Sequence, residues 1–140
     1  MTRVFLDANV YFAGFFSSQG ASFVVLELAR RKKMQVVATK LVLREADRNL
    51  RNKTTPKVLK KFRRFLKQTK ITVLPAPTDA ILRKYEPFIH PKDVPVLAAA
   101  IESKVDYLIT LDRRHFFDEK VKKCAGKTKV LTPGDFIRIV

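Results

Sequence analysis

Short apolar runs alternate along this chain with longer segments in which apolar residues recur at helical spacing. The apolar runs have the length of buried strands, and these predicted strands lie at residues 4–6, 35–38, 71–74, 106–110 and 129–131. The periodic segments predict helices at residues 9–16, 21–33, 40–51, 57–69, 78–86, 93–104 and 133–139. This alternation favours an α/β fold, namely a three-layer α/β/α sandwich around a central, mainly parallel sheet.

A single domain over residues 1–140 accounts for the whole pattern, because the length is typical of one domain and no repeat or linker interrupts it. No run of about 18 apolar residues is present, so we predict no transmembrane helix. The first apolar run meets an acid, Asp7, after three residues, which is too short for a signal peptide. We therefore expect a cytoplasmic protein that does not associate with a membrane.

The charge of the chain is strongly positive and unevenly distributed, with a formal net value of +16. Residues 30–70 hold 16 Lys and Arg against two acids, Glu45 and Asp47, and so carry +14 of that charge. Heat-adapted proteins are also rich in basic residues, but they carry matching acids, which are missing here. The imbalance favours a polyanionic partner, above all a nucleic acid, over an acidic protein or an anionic membrane surface.

Four acidic residues stand at the ends of predicted elements. Asp7 directly follows the first strand, and Asp112 lies just beyond the fourth. Asp93 opens a predicted helix, and Glu45 lies in the helix that follows the second strand. Ligands of an open parallel sheet bind at the carboxyl ends of its strands, and all four side chains can reach that edge. The pattern therefore indicates one acidic site.

Each of these acids taken alone also has a structural explanation, as a turn residue, a helix cap or part of an exposed helix face. Gathered together, however, four carboxylates repel one another, and a divalent cation relieves that repulsion. A set of oxygen ligands favours Mg²⁺ or Mn²⁺. Zinc is disfavoured, because the chain has only two His and one Cys.

Four segments of the chain resemble, in order and spacing, the motif segments of the PIN domain family (PilT N-terminus-like proteins). These segments are Phe5–Val10, Thr39–Glu45, His90–Ala100 and Asp106–Phe116. The resemblance implies an α/β/α fold and a ribonuclease that depends on Mg²⁺ or Mn²⁺. The small size is similar to that of VapC-type toxins from type II toxin–antitoxin pairs. Such toxins usually form homodimers and are inhibited by a small antitoxin protein that covers the acidic site.

The resemblance also implies roles for the acids, namely an endoribonuclease site in which all four are catalytic. Asp7, Asp93 and Asp112 would bind one metal ion directly or through water. Glu45 would complete the shell or orient the attacking water, and inline hydrolysis of RNA would leave a 5′-phosphate. Many relatives have a further acid where this chain has Arg114, so a second metal stays open, and Arg114 could instead hold a substrate phosphate.

Two polar residues are candidate supporting groups, and each has an equally good structural explanation. Asn9 can steady Asp7 or a metal-bound water, or it can cap a helix. Thr110 can hydrogen-bond Asp112 or a metal-bound water, or it can simply end its strand. We interpret His115–Phe116 as local packing.

Basic residues on two helices and after the fourth strand are predicted to bind the phosphates of the RNA backbone. A simpler interpretation is that they form a solvent-exposed helix face with no binding role. The predicted RNA-binding residues are Arg44, Arg48, Arg51, Lys57, Lys60, Lys61, Arg64, Arg113 and Arg114. Phe12, Phe15 and Phe16 follow the first acid, and we predict that they pack in the core rather than form a dimer or antitoxin surface.

Three alternatives remain open from the sequence. A PIN-like fold can serve as an RNA-binding or scaffold protein that is catalytically inactive or weak. The acidic site does not distinguish RNA from DNA, so a structure-specific DNA nuclease fits as well. Phosphoryl-transfer enzymes of the haloacid dehalogenase type also place an Asp after the first strand, but they require a second Asp at the position of Asn9.

Overall fold

A five-stranded parallel sheet forms the centre of the protein, and the computed structural model describes all residues, 1–140. The strands are β1 (Arg3–Leu6), β2 (Gln35–Thr39), β3 (Thr72–Leu74), β4 (Tyr107–Ile109) and β5 (Lys129–Leu131). They are hydrogen-bonded in the order β3-β2-β1-β4-β5, and every neighbouring pair is parallel. The predicted strands are confirmed, and the sheet is fully rather than mainly parallel.

Nine α-helices connect the strands and cover the sheet. They are α1 (Ala8–Phe16), α2 (Ala21–Arg30), α3 (Lys40–Lys53), α4 (Pro56–Gln68), α5 (Asp79–Tyr85), α6 (Val94–Glu102), α7 (Arg113–Phe116), α8 (Glu119–Ala125) and α9 (Pro133–Ile139). Two short 3-10 turns, Glu86–Phe88 and Pro91–Asp93, lie between α5 and α6. No single helix is long and apolar enough to cross a membrane; α1 and α2 meet that length and composition test only as a pair bent by 100°.

The connections between strands place the helices in two layers. The chain steps from β1 through β2 to β3 toward one edge of the sheet, and then from β4 to β5 toward the other. Because crossovers between parallel strands are right-handed, α1 to α4 cover one face and α5 to α8 cover the other. The packing agrees, since α1 contacts α2, α3 and α4, while α5 contacts α6. The predicted α/β/α sandwich is therefore confirmed.

The strand order reverses between β1 and β4, which are parallel neighbours in the sheet: β2 and β3 are added on one side of β1, and β4 and β5 on the other. A reversal of this kind opens a crevice at the carboxyl ends of the two strands. The central strand is rigidly held, because the side chains of Val4–Leu6 are completely buried. On α6, Ala98–Ala100 are also buried, and their small side chains allow close packing. The residues that follow the ends of β1 and β4 thus have fixed positions.

The structure departs from the sequence prediction mainly between residues 113 and 128, where α7 and α8 form although no element is predicted. Among its seven residues α8 buries only Val121 and Ala125, which is too few for a clear helical period. The helix predicted over residues 93–104 is shorter, because Asp93 belongs to the second 3-10 turn and α6 begins at Val94.

Candidate active site

A single cleft at the carboxyl ends of β1 and β4 is lined by all four acids of the sequence prediction. Asp7 directly follows β1, and Asp112 lies just beyond β4 as the N-cap of α7. Asp93 immediately precedes α6, and Glu45 reaches the cleft from α3. The cleft has a volume of about 200 Å³ and is lined by Asp7, Ala8, Asn9, Glu45, Asn49, Lys92, Asp93, Val96, Asp112 and His115.

Asp7 is the most deeply buried acid of the cleft, with 7% of its surface exposed. Its Oδ1 accepts a hydrogen bond of 2.8 Å from the backbone N–H of Ala8 as the N-cap of α1. Its Oδ2 accepts one of 2.8 Å from the Thr110 hydroxyl and one of 3.3 Å from Nδ2 of Asn9. Both carboxylate oxygens are therefore held in fixed directions.

Asn9 and Thr110 also connect the ends of β1 and β4 to each other. Nδ2 of Asn9 lies 3.4 Å from Oγ1 of Thr110, and Oδ1 of Asn9 accepts a hydrogen bond of 3.1 Å from the backbone N–H of Leu111. Oγ1 of Thr110 accepts one of 3.1 Å from the backbone N–H of Asp112. The structure thus places both predicted supporting residues beside Asp7, while the helix cap that we left open for Asn9 is formed by Asp7 itself.

Burial raises the pKa of the Asp7 carboxyl from 3.8 to about 6. Removal from water is the largest cause; the hydrogen bonds from Thr110 and Ala8 lower the pKa, and the charges of Glu45 and Asp93 raise it. A carboxylate in this situation is unfavourable when charged, so it gains more than an exposed carboxylate from a nearby cation.

Asp93 and Asp112 meet at the imidazole ring of His115. Nδ1 of His115 lies 2.8 Å from Oδ2 of Asp112 and 3.0 Å from Oδ2 of Asp93. Oδ1 of Asp112 accepts a hydrogen bond of 3.1 Å from the backbone N–H of His115. Nδ1 is hydrogen-bonded to Asp112, whereas the buried Oδ2 of Asp93 has no hydrogen-bond partner.

The pKa of Asp93 is also raised, first by burial and then by the negative charge of Asp112. His115, His90 and Lys92 oppose this rise with weaker effects. Asp93 makes no side-chain cap to α6, although it occupies the N-cap position. Its Oδ2 lies beside the His115 ring, whereas the plainer interpretation of the sequence predicts that the side chain caps the helix.

Three polar residues of the cleft, His115, Asn49 and Lys92, are absent from the predicted site, and His115 is predicted to pack locally with Phe116. Phe116 is fully buried, and the His115 ring stacks on His90, but α7 also turns His115 back onto its own N-cap, Asp112. The spacing of three residues is the one at which a helix cap meets the first turn, and this signal could have identified the pair.

Asn49 lies four residues after Glu45 on the same face of α3, a spacing that is also visible in the sequence. Lys92 precedes Asp93 and brings a positive charge to the edge of the cleft.

The donor atoms of the cleft fit a divalent cation. Oδ2 of Asp93 is buried without a hydrogen-bond partner, and burial raises the pKa values of both Asp7 and Asp93, so that their charged forms would be stabilised by a cation. One ligand atom from each of Asp93, Asp112 and His115 lies within 4.8 Å of the other two. Oxygen ligands suit Mg²⁺ or Mn²⁺, and the His115 nitrogen suits a transition metal such as Mn²⁺ better than Mg²⁺.

The basic residues predicted to bind RNA lie outside this cleft, and all of them are exposed. Arg44, Arg48 and Arg51 line a separate groove of about 590 Å³ on α3. The predicted basic residues of α4 lie opposite a buried apolar side of that helix, and they are Lys57, Lys60, Lys61 and Arg64. Arg113 and Arg114 lie on α7, so Arg114 does not take the place of a fifth acid in the cleft.

The three phenylalanines after Asp7 differ from the prediction that all of them pack in the core. Phe15 does so, since its ring meets the edges of Phe62 and Phe65 at 5.5 and 5.4 Å between ring centroids. Phe12 is half-buried, whereas Phe16 is 62% exposed. The α1 helix is apolar on every side, so its sequence does not indicate which side faces solvent.

The sequence also matches a family model, and this match agrees with the fold and with the acidic cleft. Residues 3–114 match the family model described as the PIN domain. The match includes all four acids of the cleft and covers well over half of the chain. The chain therefore belongs to the PIN domain family, whose members are generally nucleases.

Solved structures share this fold at low sequence identity. A chain of the VapBC2 complex from Rickettsia felis, bound to a DNA fragment from their promoter, matches with a TM-score of 0.63 and 15% identity over 94% of this chain and 98% of that chain. FitAcB from Neisseria gonorrhoeae gives 0.61 and 17% over 94% and 98%, and FitAB bound to an IR36 DNA fragment gives 0.62 and 18% over 93% and 94%. No curated protein matches the sequence. At these identities the structures establish the fold alone.

Proposed function

We propose that this chain is an endoribonuclease that depends on Mg²⁺ or Mn²⁺ and hydrolyses RNA phosphodiester bonds. The observation that carries the proposal is the cleft, which four carboxylates line at the point where the strand order reverses, with ligand atoms of Asp93, Asp112 and His115 within 4.8 Å of one another. One buried oxygen of Asp93 lacks a partner there, and the pKa of Asp7 is raised to about 6. A cleft of this composition is costly to maintain unless it binds a cation.

Asp7, Asp93 and Asp112 are the residues that would hold the ion, with Glu45 completing the shell or orienting the attacking water. A bound Mg²⁺ or Mn²⁺ supplies a Lewis acid for the phosphate and lowers the pKa of a water. The protein's own groups hold this arrangement, because the hydroxyl of Thr110 fixes the direction of the Asp7 carboxylate. His115 adds an imidazole nitrogen at the same place and holds Asp112 through its backbone N–H.

The substrate class follows from the charge around the cleft rather than from the cleft itself. The exposed basic residues of α3 and α4 are suited to the phosphates of a nucleic acid backbone. Lys92 provides a positive charge where a phosphate would enter. Contacts of this kind give affinity without sequence preference, so the choice of cleavage site must come from elsewhere.

The proposal extends to the role of a toxin in a type II toxin–antitoxin pair, acting in the cytoplasm. It is supported by the likeness to a chain of the VapBC2 complex and by the small size of the domain. The partners would then be a small antitoxin protein that covers the acidic cleft and a second copy of the chain in a homodimer. Growth arrest on expression, relieved by co-expressing the protein encoded beside it, is the expected result; unaffected growth would contradict the toxin role.

The nuclease itself is tested with purified protein and end-labelled single-stranded RNA in Mg²⁺, in Mn²⁺ and in EDTA. We expect internal cleavage with either metal, products with a 5′-phosphate, and no cleavage in EDTA. Cleavage that continues undiminished in EDTA would contradict a metal-dependent site.

Three other functions are distinguished by the choice of substrate in such an experiment. RNA binding without cleavage in either metal would indicate a binding or scaffold protein, and faster cleavage of branched DNA than of RNA would indicate a DNA nuclease. Hydrolysis of a small phosphate ester would point to the haloacid dehalogenase type. We do not expect it, because Asn9 stands where that type needs an Asp and is already hydrogen-bonded to Asp7 and Leu111.

A further inference from the structure

We propose that Phe12 and Phe16 form a platform on which one unpaired base of a single-stranded RNA stacks beside the acidic cleft. The two rings are themselves stacked, with 5.5 Å between centroids and 18° between their planes. Phe12 is half-buried and fixes the pair to the core, while Phe16 is 62% exposed. The inference rests on the proposed ribonuclease function and gives that function a specific subsite.

The platform forms one side of an apolar groove of about 450 Å³, a size typical of small-molecule sites. Leu111, which is 44% exposed, and Pro133 at the start of α9 also line this groove. The exposure of large apolar side chains to water is unfavourable, and covering them with a flat apolar group lowers the free energy. A nucleobase has that shape, and every base offers a face for stacking.

The groove continues directly from the acidic cleft. Leu111 and Arg113, which line the groove, are the two chain neighbours of Asp112, which lines the cleft. The backbone N–H of Leu111 also donates to Asn9, which lies three residues before Phe12 on α1. A strand whose phosphate enters the cleft therefore passes one of its bases over the platform.

The charges around the groove favour a nucleic acid over a protein surface. No acidic residue lines the groove, and Arg113 does. Nζ of Lys53 lies 5.7 Å from the centroid of the Phe12 ring, so a second cation stands beside the platform. A polyanion with flat bases satisfies both the charge and the shape.

The test is the affinity of metal-free protein, kept in EDTA so that RNA is not cut, for a short fluorescein-labelled RNA without secondary structure. For Phe16→Ala we expect the dissociation constant for this RNA to rise about tenfold. The affinity for an RNA duplex of the same length should stay unchanged, because its bases are already stacked. Phe16→Trp should restore the affinity, since the indole ring also stacks.

Phe88→Ala is the matched control, since Phe88 is a partly exposed phenylalanine, 38% exposed, in a 3-10 turn away from the groove. It should leave both affinities unchanged, and equal thermal unfolding of all variants should show that folding is intact. Equal affinity of wild type and Phe16→Ala for single-stranded RNA would overturn the platform while leaving the nuclease intact. So would a dimer that dissociates in Phe16→Ala with no change in RNA affinity, because the groove would then hold a second copy. A wild-type protein that neither binds nor cuts RNA would overturn the proposed function as well.

Discussion

The acidic cleft and the basic face of α3 and α4 hold opposite charges in neighbouring parts of one small domain. The basic face comprises the exposed residues Arg44, Arg48, Arg51, Lys57, Lys60, Lys61 and Arg64. The cleft gathers buried or half-buried carboxylates at the ends of two central strands, and no arginine lines it. In the region of the basic face the acid Asp47 is already neutralised by ion pairs of 3.4 Å with Arg51 and 3.0 Å with Arg63.

The two regions differ in the free energy that is needed to keep their side chains charged. The cations of the basic face are exposed and screened by solvent, so their mutual repulsion is weak. The carboxylates of the cleft are withdrawn from water, and the pKa values of Asp7 and Asp93 rise as a result. Only the cleft therefore needs a bound cation to be stable in its charged form. We expect changes in the cleft to abolish chemistry, and changes on the basic face to weaken binding alone.

The largest effect is expected for Asp93→Asn, which keeps the shape of the side chain and removes its charge. Loss of one ligand removes several kcal/mol of charge stabilisation, so the rate of RNA cleavage in Mg²⁺ should fall on the order of 10³-fold. The matched control is Asp79→Asn, the same change at an exposed position in the first turn of α5. Cleavage by Asp93→Asn at a rate near that of wild type would remove the cleft from the mechanism.

The sequence predicts the positions of three acids of the cleft well, because Asp7, Asp93 and Asp112 each follow or precede an element that its own pattern defines, whereas Glu45 lies inside α3. Asp7 and Asp112 come after apolar strands, and a parallel sheet necessarily brings such positions to one edge. His115 has a weaker signal, namely its spacing of three residues from Asp112, because α7 has almost no apolar pattern. The exposure of Phe16 was inaccessible, because α1 is apolar on every side and only tertiary packing selects the buried one.

The second effect concerns the stability of metal-free protein and follows from the raised pKa of Asp7. Well below pH 3.8 this carboxyl is protonated in both folded and unfolded chains, so its burial carries no charge penalty. As the pH rises, the unfolded chain ionises first, and the folded state loses stability until its own pKa of about 6 is passed. The full loss for a shift from 3.8 to about 6 is about 3 kcal/mol.

Urea unfolding of wild type and Asp7→Asn between pH 4 and 8 in EDTA measures this loss as the difference between their free energies of unfolding. In Asp7→Asn the contribution is absent, so the difference in unfolding free energy between wild type and variant should change across this range by up to the same amount. Added Mn²⁺ should restore the stability of wild type above pH 6, because the ion binds only the folded state. Parallel profiles for the two proteins would show that burial does not oppose the charge of Asp7.

A third effect tests whether His115 is a metal ligand in addition to the carboxylates. If its nitrogen joins the metal shell, His115→Ala should weaken Mn²⁺ binding about tenfold. The spin-echo spectrum of bound Mn²⁺ should at the same time lose its coupling to nitrogen. His90→Ala is the control, because the His90 ring is stacked on His115 at 5.1 Å between centroids, but its Nδ1 accepts a hydrogen bond from the backbone of Lys92. Nitrogen coupling that persists in His115→Ala would assign the ring to a purely structural role.

The smallest effect is expected on the basic face, where Lys60→Gln removes one exposed charge of α4. The dissociation constant for single-stranded RNA should rise only a few-fold, and its logarithmic dependence on salt should become shallower by about 0.7. The turnover rate at saturating RNA should not change, because the residue lies outside the cleft. Lys127→Gln is the control, since Lys127 precedes β5 and so lies at the amino ends of the strands, opposite the cleft. A lower turnover rate in Lys60→Gln would contradict the separation of roles between the two regions. It would mean that a residue of the basic face contributes to the chemical step as well as to RNA binding.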